Sequence, residues 1–157
     1  MIGVVSTDEK AALAKSQGCD HVIMADDDVA AVTRELTDGR GVAAVYDSVG
    51  RDTFMASLDA LRPHGTMVSF GNASGPVAPF APAELAKRGS LYVTRPILYD
   101  FIATRDELVA ACRELFAFLE SSDVEVRIGQ TYALWDAAEA HRDIEARLTT
   151  GSTILLP

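Results

Sequence analysis

The chain is poor in the patterns that mark metal and disulfide proteins. Its three histidines, His21, His64 and His141, stand far apart. No HxH, HExxH or short His/Cys spacing occurs, which argues against a metal site. The two cysteines, Cys19 and Cys112, are isolated and belong to no CxxC. Reduced thiols in a cytosolic protein are therefore the expectation. Positive charge is scarce: 14 Lys and Arg face 23 Asp and Glu, for a formal net charge of −9. Such a surface repels phosphate backbones and argues against nucleic-acid binding. No apolar run approaches the length of a membrane span, and no basic segment opens the chain as in a secretory signal. A Tyr-x-x-x-Lys pair is absent. So is any strand with a glycine-rich turn ahead of residue 2.

What is present is an ordinary folded composition, with 48% hydrophobic and 24% charged residues among 157. That length suits one domain, or one domain and a piece of another. Strand and helix patterns alternate. Short runs rich in Val and Ile predict strands near 2–5, 21–23, 42–46, 65–70 and 89–95. Amphipathic segments predict helices near 8–17, 27–36, 52–61 and 104–120. Alternation of this kind predicts a doubly wound, mostly parallel α/β sheet of the dinucleotide-binding type. Arg62-Pro63-His64-Gly65 reads as a turn, and 71–83, with three prolines and two glycines, as the one long loop. After Ser121-Ser122 the texture changes. Extended pieces at 124–128 and 130–134, a helix at 135–147 and a last strand at 153–156 follow. We place a boundary near 122, giving a partial dinucleotide-binding domain over 1–122 and a segment of another domain over 123–157. The acidic run Asp26-Asp27-Asp28 falls at a helix N-terminus, where negative charge suits the dipole.

In a doubly wound sheet, the end of the second strand meets the adenine ribose. An acid there selects NAD, whereas hydroxyls and a cation suit a 2′-phosphate. Ser6 and Thr7 supply hydroxyls, and Lys10 lies one helical turn on, which favours NADPH. Either hydroxyl also suits an N-cap, with Glu9 completing a capping box. Asp8 facing the ribose would reverse the preference. Tyr46-Asp47-Ser48-Val49-Gly50 ends a buried strand, where a parallel sheet presents backbone to ligands. The same residues resemble a nucleophile elbow with its first glycine replaced, so a serine hydrolase using Ser48 is an alternative. Helix capping by Asp47 and Ser48 is the plainer one. Past the next strand, Gly71 permits close backbone approach and Asn72 offers an amide to a nicotinamide or ribose. A polar turn without a ligand would look the same.

Together these segments resemble the zinc-independent quinone oxidoreductases of the medium-chain dehydrogenase/reductase superfamily. The resemblance rests on 45–53 (VYDSVGRDT), 67–76 (MVSFGNASGP), 89–96 (GSLYVTRP), 102–108 (IATRDEL) and 150–157 (TGSTILLP), in the family's order. It implies NADPH-dependent reduction of quinones or similar electrophilic carbonyls. It implies that Ser6, Thr7, Lys10 and Arg147 face the adenosine 2′-phosphate. Val49 and Gly50 would lie beside the adenosine, and Phe70, Gly71 and Asn72 along the nicotinamide half. The family often has a tyrosine where Ala25 stands, and here Asp26 follows instead of a basic residue. The resemblance covers the family's C-terminal half, without the catalytic domain, first strand and glycine-rich loop. The expectation is a truncated or shortened relative, inactive alone and binding NADPH weakly or not at all. A non-catalytic association module is the reading from another class. Family dimers join through the strand equivalent to 89–95, so a homodimer through 89–98 is expected.

Overall fold

The segment Ile2–Val5, three of its four residues β-branched, forms strand β1, and Thr7 then starts a helix. The computed structural model describes residues 1–121 and 126–157. The proposed boundary at 122 and the start of the extended piece at 124 lie outside the described residues. In order, the elements of the first part are β1, α1 (Asp8–Ser16), β2 (His21–Met24), α2 (Val29–Leu36), β3 (Val42–Asp47), α3 (Phe54–Asp59), β4 (Leu61–Ser69), α4 (Ala83–Lys87), β5 (Tyr92–Thr94) and α5 (Leu98–Phe101). Helix α6 (Arg105–Ser121), β6 (Ile128–Ala133), α7 (Ala137–Glu145) and β7 (Ser152–Leu156) follow. The chain divides into two compact units, 1–108 and 109–157.

The first unit is the parallel, doubly wound arrangement read from the sequence, with one difference. Its five strands do not join in a single ladder. β1 pairs with β2, and β3, β4 and β5 form a second sheet in that order, every pairing parallel. Among the described residues no strand hydrogen-bonds β1 to β3. What joins these parts is the crossover: α2 leaves β2 and leads to β3, and its Arg34 donates to the carbonyls of Asp59 and Leu61 at 2.9 to 3.1 Å. Local chemistry starts the helices. Thr7 Oγ1 accepts from Lys10 N at 3.3 Å and Asp28 Oδ1 accepts from Ala31 N at 3.0 Å, the usual N-cap contacts. The cap of α1 is thus Thr7, and its third helical residue is Lys10. The capping box imagined with Glu9 does not form, because the helix starts one residue later than a Ser6 cap requires.

The core sits between the β3-β4-β5 sheet and α3. Phe54, Leu58, Leu61, Met67 and Leu91 form it, and Val42, Val45, Val77, Leu85 and Val93 pack against it. The turn read at 62–65 is instead absorbed into β4 as a bulge. Val42 faces Leu61, yet Ala44 faces Thr66, so two steps along β3 match five along β4. His64 takes a positive φ of 60° there, and its N–H reaches the Gly89 carbonyl at 2.8 Å. Strand β5 is shorter than expected, because Gly89 and Ser90 adopt φ of 97° and 57° and are not extended. It is the edge of its sheet.

The second unit is a small parallel βαβ. β6 pairs with β7 and α7 makes the crossover. The Tyr132 hydroxyl donates to Asp143 Oδ2 at 2.6 Å, tying strand to helix. A Cβ on Gly129 would overlap the Thr150 carbonyl, so only glycine lets the two segments pass this closely.

Leu58 is fully buried within the main cluster. Leu58→Ala should cost about 2–5 kcal/mol by lost transfer energy and cavity formation. Urea unfolding measures this, and a loss under about 1 kcal/mol would show that α3 does not anchor the core.

Candidate functional site

Asp47 builds the site. It ends β3 with its side chain buried, only 5% of the residue remaining exposed. One carboxylate oxygen accepts from the N–H groups of Val49 at 2.7 Å and Gly50 at 3.0 Å. The other accepts from the hydroxyls of Thr53 at 2.7 Å and Ser57 at 2.8 Å, on α3 and its N-terminal edge. Burial pushes the carboxyl upward. The bonds from Gly50, Thr53, Ser57 and Val49 outweigh it and hold the group below the ordinary carboxylate range.

The turn so fixed is the support for a second one. After β4, Phe70 N donates to the Asp47 carbonyl at 2.9 Å, Ala73 N to Ser48 at 3.2 Å and Ser74 N to Val49 at 2.8 Å. Arg51 N returns a bond to the Gly75 carbonyl at 3.1 Å. The two turns therefore interlock by main chain. Glycine is required where they touch. Gly50 has a φ of +91°, and a Cβ on it would lie 2.7 Å from the Gly75 carbonyl. A Cβ on Gly71 would lie 2.1 Å from the Ser48 carbonyl. The close approach that Gly71 permits is thus to Ser48 of the same chain. Arg95, past the end of β5, donates to the carbonyls of Ser69 at 2.8 Å and Gly71 at 3.3 Å, holding this loop from its other side.

The structure brings Val49, Gly50, Phe70, Gly71 and Asn72 into one constellation at the ends of β3 and β4. Phe70 is half exposed and Asn72 exposed. A shallow pocket of about 260 Å³ adjoins them, lined by Phe54, Ser69, Asn72, Phe80, Val93 and Arg95 among others. Ser6, Thr7 and Lys10 cluster separately where β1 passes into α1, with both hydroxyl residues exposed and Lys10 half buried. Asp8 lies in the first turn of α1 and is exposed. The end of β2 lies alongside, since Ala25 N donates to the Val5 carbonyl at 2.7 Å. Asp26 follows directly. Arg147 belongs to the second unit, past the end of α7, at a φ of +60°.

Ser48 is exposed and hydrogen-bonds to no histidine side chain. His64 lies in the bulge of β4, and His141 on α7 of the second unit. Sequence reasoning saw Asp47 as a helix cap and missed that it clamps a turn and a helix together. The signal was there in Thr53 and Ser57, spaced to face back toward the strand end. The grip of Arg95 on the Ser69 and Gly71 carbonyls has no local signature in the sequence.

These residues fit the two ends of a dinucleotide better than its middle. Hydroxyls and an amine stand at one strand end, and an exposed aromatic ring and amide at another. The main-chain donors of Val49 and Gly50, however, are committed to Asp47, those of Ala73 and Ser74 to the neighbouring turn, and that of Gly75 to Asn72 in its own loop. No group of three His, Cys, Asp or Glu converges among the described residues, so they offer no zinc site.

An alternating parallel fold with polar residues at its strand ends is of the Rossmann-like class. The family model for zinc-binding dehydrogenases matches residues 17–155, and the chain belongs to that family. A quinone oxidoreductase of Pseudomonas aeruginosa is 49% identical over 158 residues, taking in 100% of this chain and 49% of that protein. The structure of Escherichia coli quinone oxidoreductase complexed with NADPH superposes with a TM-score of 0.93 at 46% identity, over 99% of this chain and 49% of the other. A mycobacterial protein complexed with NADPH gives a TM-score of 0.94 at 48% identity, again over 99% and 49%. The chain thus spans about half the length of the relatives it matches. The family description names zinc, and the described residues here do not fit one.

Because its folded-state pKa is depressed, Asp47 contributes stability that is full above the ordinary carboxylate range and is lost as pH falls through the folded value. Asp47→Asn should cost about 1–3 kcal/mol near neutrality. It should also flatten the acid-side fall of the melting temperature. Equal acid slopes in the two proteins would show that Asp47 is not the group being titrated.

Proposed function

We propose that this chain is the cofactor-binding part of an NADPH-dependent quinone oxidoreductase acting in the cytosol. When bound, NADPH supplies a hydride for a quinone or similar electrophilic carbonyl. The observation that carries the reading is the match of the whole chain, at 46–49% identity, to relatives named quinone oxidoreductases. Two features of the site support it. Ser6, Thr7 and Lys10 group at the end of β1, where a 2′-phosphate would be held by hydroxyls and an amine. Phe70 and Asn72 stand exposed beside the interlocked turns, where the nicotinamide half would lie. Val49 and Gly50 shape the adenosine side through their backbone course. Asp26 opposes that phosphate and lowers the discrimination against NADH. The unpaired thiols of Cys19 and Cys112 support a reducing compartment.

This chain by itself binds NADPH weakly and turns over no quinone. A diphosphate is ordinarily held by main-chain donors at a glycine-rich helix N-terminus. The glycine turns described here spend their donors on each other. Titration followed by nicotinamide fluorescence should give at most an affinity far below that of a full-length relative, and quinone reductase activity at background. Where binding is measurable, Lys10→Ala should weaken NADPH more than NADH, because only NADPH carries the extra phosphate. Equal losses would remove Lys10 from the role, and robust turnover would overturn the reading of the isolated chain.

The chain also forms a homodimer through 89–98. β5 is an edge strand with Tyr92 62% exposed, and Ile97 and Leu98 beside it are 53% and 67% exposed. Such an edge pairs readily with a copy of itself about a two-fold axis. Val93→Pro should shift the chain to monomer in sedimentation, because proline removes a ladder donor. A monomeric parent chain, or a dimer unaffected by this change, would contradict the assignment.

A further inference from the structure

The face of β4 that meets α3 ends in a pocket. Buried residues alternate along this strand at Gly65, Met67 and Ser69. Met67 lies opposite Val93 of β5 and shares the core cluster with Phe54 of α3. Ser69 therefore faces α3, and Phe70, the next residue, leaves toward the opposite face. The loop 71–83 returns over the Ser69 side. Phe80 brings its ring to that of Phe54, with centroids 5.0 Å apart and planes tilted by 47°. Val77 and Val93 complete an apolar wall around about 260 Å³, and every lining residue belongs to the first unit.

Three polar groups border this wall with bonding capacity unused. Only 5% of Ser69 is exposed, yet its hydroxyl bonds to no group among the described residues. No buried side-chain oxygen or nitrogen among those residues is both sealed and unpartnered. The Ser69 hydroxyl is therefore open, and what it opens on is the pocket that Ser69 lines. The Asn72 amide, also lining it, has no partner among the described residues. Arg95 engages Nη1 with the Ser69 and Gly71 carbonyls at 2.8 and 3.3 Å. Its Nε and Nη2 remain, and these form the parallel fork that grips a carboxylate with two bonds.

We propose that this pocket binds a small aromatic carboxylate. Its ring lies against Phe54, Phe80 and Val77. Its carboxylate meets the free fork of Arg95 and accepts from Ser69 and Asn72. The size suits a single ring, since an apolar cavity of roughly 150 Å³ already holds benzene. Aromatic walls favour an aromatic ring over an aliphatic chain. A neutral ring would leave the fork unused, and a small aliphatic anion would leave the apolar wall wet. The assignment does not rest on the cofactor reading, because Phe70 points away from the pocket.

Sodium benzoate titrated into this chain, followed by amide and methyl chemical shifts, tests the assignment. Toluene supplies the ring without the charge, and acetate the charge without the ring. The expected result is saturable shifts at 69, 72, 77, 80, 93 and 95, with either control binding at least about fivefold more weakly. Ser69→Ala removes a hydroxyl that bonds to nothing in the described chain, so the melting temperature holds while benzoate affinity falls roughly threefold. Arg95→Lys keeps the charge but not the fork, and affinity falls roughly tenfold. Where that variant loosens the loop it holds, Ser69→Ala decides. Shifts reproduced by acetate, toluene binding as tightly as benzoate, shifts centred on other residues, no saturation, or unchanged affinity in Ser69→Ala would each overturn the proposal.

Discussion

One buried carboxylate organises the loops at the ends of β3 and β4. Asp47 accepts four hydrogen bonds, two from the main chain of the turn that follows it and two from hydroxyls at the start of α3. Bonds to a charged acceptor contribute roughly 1.5–3 kcal/mol each, against a burial penalty of similar kind. Removing the carboxylate would leave donors at Val49 and Gly50 without an acceptor in a place where glycine packing admits little water. The loop after β4 hangs on that turn through the carbonyls of Asp47, Ser48 and Val49. The position of Phe70 and Asn72 is therefore inherited from Asp47, although neither touches it.

The same strand carries the opposite tendency along its side. β3 is clamped at its C-terminal end and unpaired along one edge, where Tyr46 and two alanines meet solvent. The interlocked turns hold the ends of β3 and β4 where a ligand would meet them.

Much of the fold was legible locally. Ile2–Val5, Val42–Asp47 and Ser152–Leu156 are runs of apolar and β-branched residues, and all are strands. α6 announces itself by apolar residues at helical spacing. The errors share a cause, which is that pairing and packing are not local. The division of the sheet follows from which strand sits next to which, and no window of sequence holds that information. Pro63 and Gly65 advertise a turn, but the register between β3 and β4 absorbs them as a bulge within one strand. The short helices α4 and α5 span five and four residues, too few for a periodic pattern. Within the site, the hydroxyl cap at Thr7 and the glycine turns were visible as residue types. What each glycine makes room for was not, since Gly71 answers to Ser48 some twenty residues earlier in the chain.

The central claim is that the strand ends of β1 and of β3–β4 form the two ends of one nucleotide site. Amide chemical-shift mapping during an NADPH titration at millimolar concentration tests it most directly, since it reads weak binding residue by residue. The account predicts concerted shifts at 6–10 and at 48–50 with 70–72, fitting one dissociation constant. Shifts in only one of these groups, separate constants for the two, or no shift at either would contradict it.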